Sequence, residues 1–217
     1  MKLVHQGTVL GEDNQKMAKS AGNVVNPDAM IDQHGADAMR LYEMFMGPLE
    51  AMKPWSTQGV EGVARFLDRV WRLVVDEDGR TGSTRATRRS RLRACCIRPS
   101  RRSPEDIEGL RFNTAIAQMM IFTNEATKWE RRPRAVIEPF VLLLSPFAPH
   151  LAEELWERLG HHGTLAYEPW PAFDPELLRG DTVTVAVQVN GKLRATLELP
   201  RASTRPPRNR RRSATSG

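Results

Sequence analysis

Apolar residues recur at helical spacing through most of this chain. From Ser56 onward, Val60, Val63, Ala64, Leu67, Val70, Trp71 and Val74 keep an i, i+3, i+4, i+7 rhythm for four turns, which predicts an amphipathic helix packed on others. Phe112, Ile116, Met119, Met120 and Thr123 repeat the rhythm in a helix reaching about Trp129, and Val136 to Leu144 forms another that Ser145-Pro146 breaks. Pro149 at a first turn, Glu153 and Glu154 early, a Leu151, Leu155 and Leu159 stripe, Arg158 late and Gly160 beyond predict one more. Four such helices joined by short connections make a bundle. Upstream, Leu3 to Leu10 reads as a short strand running into an exposed loop from Gly11 to Asn23. Asn26-Pro27, with Asp28 in the first turn, starts a short helix that stops at Gly35, and a second helix runs from Ala36 to Gly47-Pro48.

The period changes to two between Thr182 and Leu199, around Asn190-Gly191. A two-residue Asn-Gly turn would pair Val187 with Arg194 and split the apolar face. A three-residue loop of Val189, Asn190 and Gly191, with Gly191 in the left-handed position of a G1 bulge, pairs Val187 with Leu193 and Val185 with Ala195, so a hairpin closed by that loop is expected. The fold class is therefore mainly α, ending in a short β-hairpin.

The net charge of +6 misleads about the folded part. Two stretches, Gly79 to Ser103 and Arg201 to Gly217, hold nine and six arginines with no lysine and no acid, so the remaining 175 residues carry −9. Overall basicity thus gives no ground for a nucleic-acid-binding fold. The only cysteines, Cys95 and Cys96, are adjacent, which excludes a disulfide framework and a zinc site of paired spacing and fits a cytoplasmic protein. The longest apolar run, Phe140 to Leu144, cannot span a bilayer, and the N-terminus lacks a signal-peptide pattern, so no membrane partner is expected.

Few residues are arranged for chemistry. The five histidines are scattered, His161-His162 comes after a helix stop, and neither a Gly-x-Gly-x-x-Gly nor a Walker loop occurs. These histidines are expected to be structural or solvated, and no metal site is expected. There remains the loop with Lys16 and Lys19. Two lysines three apart, flanked by Gly11, Gly22 and Asn23, suit a positive charge that must close over a polyphosphate and withdraw. An ordinary solvated surface loop has the same composition, and charge and spacing alone do not separate the two.

Lys16-Met17-Ala18-Lys19-Ser20 resembles the K-M-S-K-S signature of class I aminoacyl-tRNA synthetases. Gly22-Asn23-Val24-Val25-Asn26-Pro27 and Gly35-Ala36-Asp37-Ala38-Met39-Arg40 resemble the segments downstream of that signature in the same class. The likeness continues in Tyr42 to Glu50, Lys53-Pro54-Trp55, Phe112 to Ile116, Leu144 to His150, Glu153 to Trp156 and Val189 to Arg194. Together these resemble the bacterial leucyl-tRNA synthetases, over about Lys2 to Asp78 and Pro104 to Pro200. The resemblance implies ATP-dependent formation of leucyl-adenylate and transfer of leucine to its tRNA. It places Lys16 and Lys19 as catalytic residues and Lys16, Met17, Lys19 and Ser20 at ATP, with Mg2+ accompanying ATP. Ala18 departs from the family serine by one hydroxyl and leaves the lysines in place.

The implied organisation is residues 1–55 as the end of a catalytic domain with its connecting helices, and 56–178 as an anticodon-binding-type bundle interrupted by the tract at 79–103. Residues 179–200 would begin a C-terminal domain as a hairpin, and 201–217 would form a disordered arginine-rich tail. The nucleotide-binding half, with its His-x-Gly-His signature, and the editing domain lie upstream of this sequence in the family order. The chain is therefore expected to be a C-terminal fragment, a monomer inactive alone, that meets leucine tRNA itself but ATP and leucine only with the missing half. A non-catalytic tRNA-binding module or half of a split synthetase is the alternative from another class, and an isoleucyl-, valyl- or methionyl-type fragment is the alternative within it. The tracts have two readings, as arginine-rich RNA-binding arms or as out-of-frame translation. The absence of acids and the abrupt return of the family pattern at Pro104 favour the second. The first tract stands where a bundle helix is expected, so the Val60 to Val74 face, Trp71 included, is expected to be unusually exposed.

Overall fold

In the computed structural model, residues 3–75, 83–84, 106–129, 132–171, 182–189 and 192–200 are described. They fall into two units, Met1–Asp174 and Pro175–Gly217.

The first unit begins with a strand shorter than expected. Only Val9–Leu10 (β1) pairs, in parallel, with Lys53–Pro54 (β2), and Leu3 is exposed. A strand persists only where a partner backbone takes its hydrogen bonds, and here the partner offers two residues. Helices α1 (Pro27–His34) and α2 (Ala36–Phe45) come next, separated by Gly35 at φ 87°, a left-handed conformation that glycine adopts without strain. The Asn26 side chain accepts the Asp28 N–H at 3.1 Å, as the Asn-Pro start requires.

Helix α3 (Thr57–Val74) is capped by Ser56, whose hydroxyl accepts the Gly59 N–H at 3.2 Å. Its buried set is Val60, Val63, Phe66, Leu67, Val70, Leu73 and Val74. The stripe is thus wider than the spacing suggested: Phe66 and Leu73 are sealed, while Ala64 and Trp71 are only half-buried. The expected bare face does not occur, because α2, α4 (Phe112–Ala126) and α6 (Pro149–Arg158) all pack against α3. Trp71 lies beneath the Arg158 guanidinium, 5.8 Å from its ring centre.

Helix α4 stops at Ala126, short of Trp129. Helix α5 (Arg134–Leu144) starts two residues before Val136 and tolerates Pro139 at the loss of one interior hydrogen bond. Phe122 of α4 stacks on Phe140 of α5 with centroids 4.5 Å apart, and α5 packs on α6. Ser83–Thr84 (β3), inside the first arginine tract, pairs in parallel with Arg132–Pro133 (β4); the rest of Gly79 to Ser103 apart from these two residues lies outside the described residues.

In the second unit, β5 (Thr182–Val189) and β6 (Lys192–Pro200) form the expected antiparallel hairpin, with a different closure. Val189 pairs with Lys192 and Gln188 with Leu193, leaving two residues between the strands, and the register then slips so that Val187 faces Ala195. The bulge sits in β6, at Arg194, rather than in the loop. It serves the same end, because Val187, Val185 and Val183 come opposite Ala195, Leu197 and Leu199. The tail at 201–217 lies outside the described residues.

Candidate functional site

The lysine loop is built on a tight reversal after β1. The Gly11 N–H donates to the Gln15 carbonyl at 2.8 Å, and the Asn14 N–H returns to the Gly11 carbonyl at 3.0 Å with Asn14 at φ 60°. Leu10 then bridges Lys16 in antiparallel fashion. Past Lys16, the side chain of Asn23 fastens the chain to itself. Its Oδ1 accepts the Ala18 N–H at 2.9 Å, and its Nδ2 donates to the Lys16 carbonyl at 3.3 Å and to the Asp13 carboxylate at 3.0 and 3.2 Å. Residues Lys19–Ala21 form a 3-10 turn closed by Gly22 at φ 67°.

Lys16, Lys19 and Ser20 are exposed, and Met17 is half-buried against the core. The apolar member of the motif therefore anchors the loop while its cations face water. Ala18 contributes through its backbone N–H, so the missing hydroxyl leaves the brace intact.

Two further contacts join this segment to the bundle. The Thr57 N–H, at the start of α3, donates to the Glu12 carboxylate at 2.8 Å, and this bond holds the Glu12 carboxyl below the usual glutamate range. The adjacent Ser56 N–H donates to the Tyr42 hydroxyl at 3.0 Å; burial, the larger influence, raises that phenol. Tyr42 meets Trp55 edge to face at 5.0 Å. Nearby, burial lowers the Lys53 ammonium, whose Nζ donates to the Gly47 carbonyl at 3.3 Å.

A second clamp holds the amino end of α6. Its N-cap, Ala148, offers no side-chain acceptor, and Asp37 of α2 supplies one. The nearly buried Asp37 carboxylate accepts the Leu151 N–H at 2.7 Å and the His150 N–H at 3.4 Å, and lies 2.8 Å from His150 Nδ1. One turn on, the Arg40 guanidinium donates to the Pro146 carbonyl at 3.1 and 3.3 Å. Thus Gly35 to Arg40 and Leu144 to His150, more than a hundred residues apart, grip each other.

Sequence comparisons extend over the same segments. The family description "tRNA synthetases class I (I, L, M and V)" matches residues 1–53, and "anticodon-binding domain of tRNA ligase" matches residues 101–206. Proteins named leucine–tRNA ligase from two strains of Leptospira biflexa serovar Patoc are 52% identical over 201 residues, which is 92% of this chain and 23% of theirs. Both matched families are described as parts of tRNA synthetases or ligases, and between them they take in residues 1–53 and 101–206. The fold of the chain also matches the crystal structure of the ternary complex of Agrobacterium radiobacter K84 agnB2 LeuRS, tRNA and LeuAMS, with a TM-score of 0.73 and 31% identity over 90% of this chain and 27% of that one. The chain therefore spans about a quarter of the length of the synthetases it resembles.

The structure brings Lys16, Met17, Lys19 and Ser20 onto one braced loop. Asn23 and Asp13 brace it, Glu12 ties its base to α3 and Asp37 ties α2 to α6; of these, spacing had marked only Asn23, as a neighbour of the lysines. An asparagine after a left-handed glycine was the available signal for Asn23; nothing local marked Glu12 or Asp37. His161 packs flat on Trp156, with centroids 3.6 Å apart, and lies 2.8 Å from a Glu138 carboxylate oxygen, which is a structural setting. Among the described residues no helix is long and apolar enough to cross a membrane.

Proposed function

We propose that this chain carries the lysine loop, connecting helices and helical bundle of a leucine–tRNA ligase. The likeness to proteins named leucine–tRNA ligase over 92% of the chain carries the reading and favours leucine over isoleucine, valine or methionine. Residues 1–55 act as the end of the catalytic domain, 56–178 as the tRNA-supporting bundle, and 179–200 as the start of a C-terminal domain. In such an enzyme ATP and leucine yield leucyl-adenylate and pyrophosphate, and leucine then passes to the terminal adenosine of its tRNA.

Lys16 and Lys19 are the groups of this chain that act on ATP, with Ser20 beside them in the ATP-binding loop and Met17 anchoring that loop to the core. Negative charge shifts toward pyrophosphate as the α-phosphorus accepts the leucine carboxylate. A lysine contact that tightens with that shift lowers the barrier, by about 3 kcal/mol for one well-placed donor. Both ammonium groups stand in water on a loop whose backbone is already fixed, so little ordering is left for the moment of reaction. Magnesium belongs to ATP here, as counter-ion to its phosphates. Among the described residues no group of three or more His, Cys, Asp or Glu side chains is placed to hold a metal ion.

The deciding experiment is leucine-dependent exchange of pyrophosphate into ATP. The chain alone should show none above background, and adding the nucleotide-binding part of a leucyl enzyme should restore it. Restoration that fails while leucine tRNA still binds would support a non-catalytic tRNA-binding module instead. The protein acts in the cytoplasm, as a monomer, in this reading.

A further inference from the structure

We propose that Asn23, itself held by Asp13, is the positioning residue that fixes Lys16 and Lys19 relative to one another; the proposal rests on the synthetase reading only for what the lysines do. One carboxamide reaches the peptide groups on both sides of Met17. It donates to the carbonyl of Lys16 and accepts from the N–H of Ala18, the residue immediately before Lys19. An amide can do this because it carries a donor and an acceptor on one planar group, which neither aspartate nor serine duplicates.

Asp13 keeps that group in the required orientation. Both of its oxygens lie within 3.2 Å of Asn23 Nδ2, so the NH2 end faces the carboxylate and the oxygen end is left for Ala18. Asp13 is secured in turn by the Gln15 N–H at 3.0 Å. Met17 against the core and the Leu10–Lys16 bridge hold the base of the loop, but neither sets the spacing of the two lysine backbones. The brace is made from polar contacts at the surface, outside the apolar core, so it can be removed without unfolding the bundle.

The test is digestion of the intact chain by a lysine-specific endoprotease, scoring cleavage after Lys16 and Lys19 against the melting transition. Asn23→Ala should speed cleavage at these two bonds by about tenfold with the melting temperature within about 2 °C of the parent. Asn23→Asp should behave alike, because two carboxylates then face each other. The exchanged pair, Asp13→Asn with Asn23→Asp, restores a donor facing an acceptor and keeps an oxygen for the Ala18 N–H but leaves the Lys16 carbonyl without its donor, so it should recover only part of the protection. Unchanged cleavage in Asn23→Ala, or an exchanged pair as fully protected as the parent, which would make the bond to the Lys16 carbonyl dispensable, would overturn the proposal. So would faster cleavage that merely tracks a fall in melting temperature. The readout needs no catalysis, so its failure is distinct from failure of the pyrophosphate-exchange experiment.

Discussion

Removing the Asp37 carboxylate should loosen the bundle from a helix that is not part of its four. In α6 the first turn begins with Pro149, which has no N–H, and the next two amides, of His150 and Leu151, both point at Asp37. Asp37→Ala leaves them without that acceptor at a part-buried site and removes negative charge from the positive end of the helix. Loss of an N-cap acceptor costs ~1 kcal/mol, and a hydrogen bond to a charged group ~1.5–3 kcal/mol. The two overlap, so a loss of about 2–3 kcal/mol is expected, or roughly 5–10 °C in melting temperature for a protein of this size. Asp37→Asn keeps an oxygen for Leu151 and loses mainly the dipole interaction, about 1 kcal/mol. His150→Ala should cost under ~1 kcal/mol, because that side chain is 79% exposed. Urea and thermal unfolding followed by circular dichroism would rank the three variants. An Asp37→Ala variant as stable as the parent, or a His150→Ala loss equal to it, would refute the argument that the backbone cap carries the energy.

Gly59→Ala should destabilise by about 1–2 kcal/mol despite its helical setting, since the new Cβ would lie 2.5 Å from the Tyr42 ring; Gly62→Ala, whose nearest neighbour is an Arg65 nitrogen at 3.9 Å, should stabilise by about 0.5–1 kcal/mol, and chemical denaturation would separate them. The Glu12 carboxyl is held below its ordinary value, so its bond to Thr57 contributes in full above the unfolded-state pKa and fades as pH falls through the lowered one. Hydrogen exchange should therefore show the Thr57 amide protected at neutral and mildly acidic pH and released only below the usual glutamate range, with Glu12→Ala releasing it throughout. In a reconstituted enzyme Lys19→Ala should depress adenylate formation far more than ATP affinity, and an equal loss in both would assign the lysine to ground-state binding.

Periodicity located the helices because each buries a face and the 3.6-residue repeat records it. The starts at Asn26-Pro27, Ser56 and Pro149 and the stops at Gly35 and Ser145-Pro146 were legible for the same reason, since capping and proline chemistry act over one turn. The lysine pair was legible through its motif. Every feature that depended on a distant partner was not. Phe66 and Leu73 looked peripheral to a single stripe until α2, α4 and α6 were seen to enclose α3 from several sides. The first strand shrank to two residues because its length is set by the backbone it pairs with. The hairpin kept its valines opposite apolar residues, as the alternation demanded, but moved the bulge from the loop into β6. Alternation constrains which residues face each other and is indifferent to where the extra one is stored. Asp37 and Glu12 show the limit most clearly, for each is an ordinary acid in sequence, and only the approach of a helix end with unsatisfied N–H groups makes it a joint between the lysine loop's segment and the bundle.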